Sequence, residues 1–149
     1  MVESGLAPHR LHLAISESVL LAPDANNIST LHQLRNLGVG IVLDGFATGF
    51  SSLTHVQQFP FDKIKIGKSL VDEIARDSSS AAIICAINAL ARGLDIVTIA
   101  DGIETHEQCE LLRLAGCDEA QGPLFGAPVA ASALDFAKLD ERIWRFDAA

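Results

Sequence analysis

The stretch LHQLRNLGVGIVLDG (residues 31–45) contains two hydrophobic patterns with a glycine between them. Leu31, Leu34 and Leu37 recur at helical spacing, and Gly38 then leads into the apolar run VGIVLD. Glycine after the last apolar helical position is typical of a left-handed helix end, because it has no Cβ to clash there. The stretch therefore predicts a helix that ends at Gly38 and is followed by a buried strand.

The same order of helix, glycine and apolar run occurs twice more. One copy leads into Gly93 and LDIVTIA, and the other into Gly116 and CDEAQG. The segments LHLAIS (11–16) and DKIKI (62–66) bring the strand candidates to five. Strands that alternate with helices predict an α/β fold with a parallel sheet, and their continuous apolar runs predict cover on both faces. Helices are predicted over residues 29–37, 51–58, 68–76, 80–92, 106–115 and 131–138.

Two local patterns refine this prediction. DKIKI alternates charged and apolar residues, so Lys63 and Lys65 should share one side of their strand and the isoleucines the other. Thr105, with Gln108 three residues later, predicts a capping box at the start of the helix near residue 106.

Composition and charge limit the classes of function. The 149 residues are 49% hydrophobic and 20% charged, which fits one globular domain. The net charge of −8 argues against binding to DNA or to an anionic membrane, because the field of the protein repels phosphates. The N-terminus has no apolar signal segment, and the most apolar region (80–100) is interrupted by polar residues. A cytoplasmic protein without membrane insertion is expected.

The three cysteines, Cys85, Cys109 and Cys117, are an odd number without CxxC spacing. This pattern favours free, mostly buried thiols in a reducing compartment, with a zinc site as the alternative.

Polar residues gather where the predicted strands end. In parallel α/β folds the loops after the strands converge, and several carboxylates with a lysine would suit a divalent-metal site that acts on phosphate. Ordinary polar strand ends explain the same pattern. The residues concerned are Asp44, Lys65, Asp101, Glu104 and Gln121.

The segment LDGFATGFSS (43–52) has three interpretations: a phosphate loop, part of an acidic metal site, or a plain strand-to-helix turn. Gly45 and Gly49 match neither the GxGxxG pattern nor the lysine-bearing phosphate loop. A phosphate loop is therefore disfavoured, while the other two interpretations remain open.

Five ordered motifs resemble the C-terminal part of the EAL domain, a family of phosphodiesterases that hydrolyse cyclic di-GMP to the linear dinucleotide. The resemblance extends from about Gly5 to Pro128. The segments are LAISES (13–18), LDGFATGFSSL (43–53), FDKIKIG (61–67), IADGIET (99–105) and AQGPLFGAP (120–128). They are similar to the family's L-E-[LI]-T-E-S, L-D-D-F-G-T-G-Y-S-S-L, D-x-[LI]-K-I-D, [VI]-A-E-G-V-E-T and Q-G-[YF]-x-F-x-x-P motifs.

The resemblance implies a TIM-type barrel with two Mg²⁺ or Mn²⁺ ions at the strand ends and a lysine beside the attacking water. Carried over to this chain, Lys65 and Glu104 take catalytic positions, Gln121 a ligand-binding position, and Asp44 and Asp101 metal positions. Ala14 and Gly45 stand where the family has acids, Gly67 replaces an aspartate, and Asp101 is a shortened glutamate. The site is therefore expected to be vestigial, without a bound cofactor, and dependent on Mg²⁺ or Mn²⁺ if it were active.

Length adds a second expectation. A complete barrel needs about 250 residues and eight strands, so residues 1–149 are predicted to form a single partial EAL-type domain with an incomplete barrel. The open edge could be covered by an oligomer, by rearranged helices or by strands on another piece of chain, and association is favoured.

The expected function is a degenerate module of cyclic di-GMP signalling that regulates or dimerises, as a homo-oligomer or with another signalling domain. The alternatives are a cyclic di-GMP phosphodiesterase and a non-catalytic cyclic di-GMP receptor.

Overall fold

The computed structural model describes residues 5–21, 25–47, 59 and 61–134. Within these residues the strands are β1 (His12–Ser16), β2 (Gly40–Phe46), β3 (Lys63–Ile66), β4 (Val97–Asp101) and β5 (Glu119–Gln121). The α-helices are α1 (Glu17–Leu21), α2 (Ala25–Asn36), α3 (Lys68–Glu73), α4 (Ser78–Gly93) and α5 (His106–Leu114). Short 3₁₀ helices cover Pro8–Arg10, Pro123–Phe125 and Ala131–Ala133.

The strands form one parallel sheet in the order β1-β2-β3-β4-β5. Each strand lies beside its neighbours in sequence, which is the winding of a barrel rather than of a doubly wound sheet. In the described part of the chain, β1 and β5 each pair with one strand, so the sheet is open there. The predicted α/β fold with five parallel strands is confirmed.

Four of the predicted helices lie where the structure has helices, but their ends differ from the predicted ones. The helix predicted over 29–37 begins earlier, at Ala25, and the one predicted over 68–76 ends at Glu73. Those predicted over 80–92 and 106–115 differ from α4 and α5 by at most two residues at either end. The capping box is confirmed, because the Thr105 side chain accepts from the Gln108 N–H and the Gln108 side chain accepts from the Thr105 N–H.

Two helix predictions have other outcomes. The segment 51–58 lies outside the described residues. The helix predicted over 131–138 is wrong at its start, because only Ala131–Ala133 form a 3₁₀ turn and Leu134 is extended. Ala130 precedes this turn and supplies no side-chain hydrogen bond to it, so the exposed backbone N–H groups lack a cap.

Glycine ends two of the three helices where it was predicted to do so. Gly38 and Gly116 have φ angles of +89° and +83°. The prediction for Gly93 is wrong, because Gly93 is the last residue of α4 and Asp95 takes the left-handed conformation, with φ +58°. Aspartate tolerates this conformation better than most residues with a side chain.

The two faces of the sheet differ in chemistry. One face supplies the core, in which Ile41, Leu43, Ile64 and Ile66 pack with residues of α2 to α5. We call the other face the lysine face; it carries Ser16, Asp44, Lys63, Lys65, Asp101, Glu119 and Gln121 at alternate strand positions.

The sequence predicted strands covered on both faces, and this is correct only in part. On the lysine face Val42 and Ile99 are buried, but β3 presents Lys63 and Lys65 there. The predicted alternation of β3 is confirmed, since Ile64 and Ile66 are fully buried in the core.

Two aspartates fasten the sheet at the amino ends of its strands. Asp62 precedes β3 and accepts the Ile41 N–H at 2.8 Å. Asp118 precedes β5 and accepts both the N–H and the hydroxyl of Thr98, at 2.8 Å and 2.9 Å. Each carboxylate thus accepts the backbone N–H of the second residue of a neighbouring strand. The candidate site lies at the opposite, carboxyl ends of the strands.

Candidate functional site

The carboxyl ends of the strands bring the predicted metal residues onto one edge of the sheet. Ser16 of β1 pairs with Asp44 of β2, and Asp101 of β4 pairs with Gln121 of β5. Lys65 lies on the strand between them and pairs with Ile99, one layer below Asp101. The structure thus places Asp44, Lys65, Asp101 and Gln121, which we call the strand-end row, at the strand ends where the sequence predicted them. The register puts all four on one face.

A β-bulge carries Asp44. Leu43 pairs with Ile64 and Phe46 with Ile66, so β2 has one residue more than β3 in this interval. Gly45 lies in the bulge with φ +72°, a conformation that glycine adopts without the strain that a side chain would cause. LDGFATGFSS therefore begins as an irregular strand end rather than a plain turn, and its residues from Thr48 on lie outside the described residues.

The bulge borders a shallow cleft of about 350 Å³, lined by Ser16, Glu17, Ser18, Asp44 and Gly45. The hydroxyls of Ser16 and Ser18 lie 2.6 Å apart and share a hydrogen bond. Among its described lining residues the cleft has two carboxylates and no cationic side chain. These two serines were not predicted as site residues from the sequence, although they lie in LAISES.

Asp101 faces a cation within the protein. Its Oδ2 lies 3.8 Å from Nζ of Lys65, with side-chain exposures of 35% for Asp101 and 17% for Lys65. This distance gives an ion pair without a hydrogen bond. The second ion pair on the lysine face, nearer the amino ends of the strands, is shorter. Nζ of Lys63 lies 2.6 Å and 2.8 Å from the two carboxylate oxygens of Glu119.

Glu104 belongs to a different set of contacts from the strand-end row. Its carboxylate accepts from Nζ of Lys68 at 2.9 Å, and the same ammonium donates to Asp72 at 2.7 Å. The hydrogen bond to Asp72, followed by that to Glu104, raises the pKa of Lys68. A Cβ on Gly102 would lie 2.8 Å from Cγ of Lys68, so the bare backbone there lets the lysine cross to Glu104. Lys68 was not predicted from the sequence, in which its only signal is a helical i, i+4 spacing to Asp72.

The backbone of Gln121 forms a hydrogen bond to the loop after β4, while its side chain is exposed. Its carbonyl accepts the Ile103 N–H at 3.0 Å, and the Ile103 carbonyl accepts the Leu124 N–H at 3.0 Å. A Cβ on Gly122 would lie 2.2 Å from the Ile103 nitrogen, so glycine is required for this approach. The Gln121 side chain remains exposed at the strand end, where a ligand can contact it.

The described residues of this chain do not by themselves supply the ligands of a pair of divalent cations. Two neighbouring dications need several anionic ligands, and among the described residues no three His, Cys, Asp or Glu side chains come together as a metal site. Ala14 on β1 and Gly45 on β2 have no side-chain atom that could bind a metal. Asp101 is already paired with Lys65.

The three thiols are free, as predicted, but they differ in exposure. Cys109 and Cys117 are buried, and burial raises the pKa of the Cys117 thiol to about 11. Cys85 is exposed on α4, so two of the three thiols are buried, in agreement with the expectation of mostly buried thiols. None of the helices in the described part of the chain is long and apolar enough to span a membrane.

Comparison with known proteins adds independent findings. A family model for the EAL domain matches residues 1–128. An uncharacterised signalling protein of Caulobacter vibrioides is 46% identical over 134 residues, which are 90% of this chain and 17% of that protein. The chain spans between 16% and 20% of the length of three curated relatives that it matches.

Solved structures agree with these sequence matches. The PaMucR phosphodiesterase in complex with cyclic di-GMP superposes with a TM-score of 0.81 at 39% identity, over 88% of this chain and 53% of that one. A manganese and cyclic di-GMP complex of Klebsiella pneumoniae BlrP1 gives a TM-score of 0.81 at 29% identity, over 85% of this chain and 32% of that one. Both the fold and the sequence pattern are therefore shared with these proteins.

Proposed function

The chain belongs to the EAL domain family, and from this premise we propose that it is a cytoplasmic regulatory or dimerisation module of cyclic di-GMP signalling that does not hydrolyse the nucleotide. The family and the parallel β/α fold are those predicted from the sequence. The loss of hydrolysis is the part that we propose, and it depends on the residues at the strand ends of this chain.

The observation that supports the loss of hydrolysis is the charge of the strand-end row. Asp44 and Asp101 are its two carboxylates, and the ammonium of Lys65 compensates one of them at 3.8 Å. Ala14 and Gly45 add no ligand atoms at positions where the family motif has acids. Losing a single metal ligand typically lowers metal affinity or rate by orders of magnitude, and here two are replaced.

A hydrolysis assay with Mn²⁺ tests this proposal. The chain is incubated with cyclic di-GMP, and the linear dinucleotide is separated by chromatography, with the PaMucR phosphodiesterase as the active reference. We expect no product above the protein-free blank. Mn²⁺-dependent turnover that survives repurification, and is lost in Asp44→Asn, would contradict the proposal.

Dimerisation is supported by the outer surface of α4. Its exposed residues between positions 82 and 89 carry no charge, although the whole chain carries a net charge of −8. Ile83 is the large apolar residue of this surface and is 44% exposed. The exposed residues are Ala82, Ile83, Cys85, Ala86 and Ala89. An uncharged surface of this kind can meet a second copy of itself without repulsion.

Light scattering across a range of concentrations tests the dimer. We expect Ile83→Lys to shift the protein to the monomer, because it would bury an unpaired charge in the interface. Leu114→Lys is the matched control, since Leu114 is 72% exposed on α5 and belongs to another surface. A wild-type monomer at every concentration would refute the dimer without bearing on hydrolysis.

A cyclic di-GMP receptor is the second candidate function. It is favoured by Gln121, whose exposed side chain lies beside Asp101 at the strand ends. Calorimetric titration with cyclic di-GMP, with and without Mg²⁺, tests it. Binding that disappears in Gln121→Ala would support a receptor, and the absence of heat in both titrations would exclude it.

A further inference from the structure

The loop after β4, residues 102–105, is joined to α3 by two connections, and we call it the β4 loop. Nζ of Lys68 on α3 donates to the Glu104 carboxylate at 2.9 Å. Gln108 of α5 makes the second connection, because its side-chain oxygen accepts the Glu104 N–H at 2.8 Å and its side-chain nitrogen donates to the Val71 carbonyl of α3 at 3.4 Å. Both connections hold the end of the β4 loop against the same helix.

Lys68 also covers the start of the β4 loop. Gly102 has φ +84°, and a Cβ there would lie 2.8 Å and 2.9 Å from Cγ and Cδ of Lys68. The apolar stem of the lysine therefore lies on the bare backbone of Gly102, while its ammonium reaches Glu104. The Asp72 carboxylate, one turn later on α3, accepts from the same ammonium at 2.7 Å. One side chain thus contacts the β4 loop at two positions.

The β4 loop in turn holds the backbone of Gln121. The Ile103 N–H donates to the Gln121 carbonyl at 3.0 Å, and the Leu124 N–H donates to the Ile103 carbonyl at 3.0 Å. A Cβ on Gly122 would lie 2.2 Å and 2.4 Å from the nitrogen and oxygen of Ile103, so the two loops meet backbone to backbone. Ile103 is itself fully buried. A displacement of the β4 loop would therefore displace Gln121 as well.

We infer that Lys68 is a positioning residue for Gln121, because it fastens to α3 the loop that holds the Gln121 backbone. Lys68 acts through the hydrogen bond between Ile103 and Gln121, and this role needs no contact with a ligand. The inference rests on the proposed function only for the ligand of Gln121, which belongs to the receptor candidate. The fastening itself is a property of the free protein and is measurable without nucleotide.

Amide hydrogen exchange, measured by NMR on the nitrogen-15-labelled chain, tests the fastening. The reporters are the N–H groups of Ile103 and Leu124. Lys68→Met keeps the stem over Gly102 and removes the ammonium. We expect about fivefold faster exchange of both reporters, the upper end for an ion pair whose partners are about half exposed. Arg113→Met is the matched control, because it removes the cation of an equally exposed pair on α5, and we expect wild-type rates.

The side-chain amide signal of Gln121 tests the positioning, because a general loss of stability does not move it. The signal is assigned by its absence in Gln121→Ala. We expect it to shift or broaden in Lys68→Met and to stay in place in Arg113→Met. Lys68→Arg keeps the charge and the reach, so it should return the signal to its wild-type position and reporter exchange to within about twofold of wild type.

Two further comparisons separate this role from general stabilisation. Glu104→Gln should accelerate the reporters as Lys68→Met does, and the double variant should add nothing, since both changes break one interaction. The Leu11 N–H, bonded to the Pro8 carbonyl at the opposite edge of the sheet, should keep its wild-type rate.

Wild-type reporter rates in Lys68→Met would overturn the inference, as would an unchanged Gln121 signal or an equal acceleration at Leu11. If circular dichroism shows that Lys68→Met is unfolded, Glu104→Gln removes the same ion pair from its other side and is read in the same way. Cyclic di-GMP is absent from these measurements, so their outcome is independent of the hydrolysis assay and the titration that test the proposed function.

Discussion

Removal of the Asp118 carboxylate should destabilise the whole sheet, although Asp118 itself is exposed. Its Oδ2 accepts the Thr98 N–H at 2.8 Å and the Thr98 hydroxyl at 2.9 Å, and the Asp118 N–H donates to that hydroxyl at 3.2 Å. Thr98 is fully buried in β4. In Asp118→Ala, both Thr98 donors would lose their protein acceptor.

The magnitude follows from the number and burial of these donors. A buried donor left without a partner costs about 1–3 kcal/mol. Water can approach the Asp118 side and replace part of the loss, so we expect a decrease of about 2 kcal/mol in the free energy of unfolding. For a chain of this length that corresponds to a fall of about 4–8 °C in Tm.

Urea unfolding followed by far-ultraviolet circular dichroism measures the change. Asp118→Asn keeps one carbonyl acceptor and should lose about half as much, near 1 kcal/mol. In Thr98→Val the hydroxyl is absent, so adding Asp118→Ala to it should cost less than in wild type.

The matched control is Glu110→Ala, which removes an exposed ion pair with Arg113 on α5. We expect a change within about 0.5 kcal/mol, as is usual for surface pairs. If Asp118→Ala were as stable as this control, the carboxylate would not be fastening β4, and the reasoning would be refuted.

Two further predictions concern a helix cap and the core. Hydrogen bonds from Ser79 lower the pKa of Asp77, the N-cap of α4. The charged form of Asp77 therefore stabilises the fold, and this contribution is fully present above the unfolded pKa, near 4. It is lost as the pH falls through the lower pKa of the folded state. The difference in Tm between wild type and Asp77→Asn should therefore shrink on acidification, and a gap that stays constant from pH 7 to pH 2 would contradict it. Leu112→Ala should cost about 3 kcal/mol because Leu112 is fully buried, whereas Leu114→Ala, at a site 72% exposed, should stay within about 0.5 kcal/mol. Equal urea midpoints for these two variants would disprove the assigned burial.

The placement of the candidate residues at the strand ends was predictable from the sequence, but their contacts were not. The order of the strand-end motifs placed Asp44, Lys65, Asp101 and Gln121 on one edge, because parallel strands bring their carboxyl ends together. Glu104 could not be assigned a partner in this way, since its hydrogen bond to Lys68 joins residues 36 positions apart. Such a contact depends on how α3 lies against the loop after β4.

The bulge at Asp44 shows the same limit. The sequence predicted no bulge at Gly45, because the extra residue in β2 is defined by pairing with β3. A bulge is a property of two strands in register, and one strand's sequence contains half of that information.

The sequence by itself determined the α/β class, the five strands and the EAL resemblance, because hydrophobic periodicity and ordered motifs are local signals. Only the tertiary structure decided which charges neutralise one another. Lys63 and Glu119, and Lys65 and Asp101, become neighbours through strand register, across 56 and 36 positions of chain respectively. Strand register is set by the packing of the whole sheet, so the local pattern of one strand does not reveal these pairs.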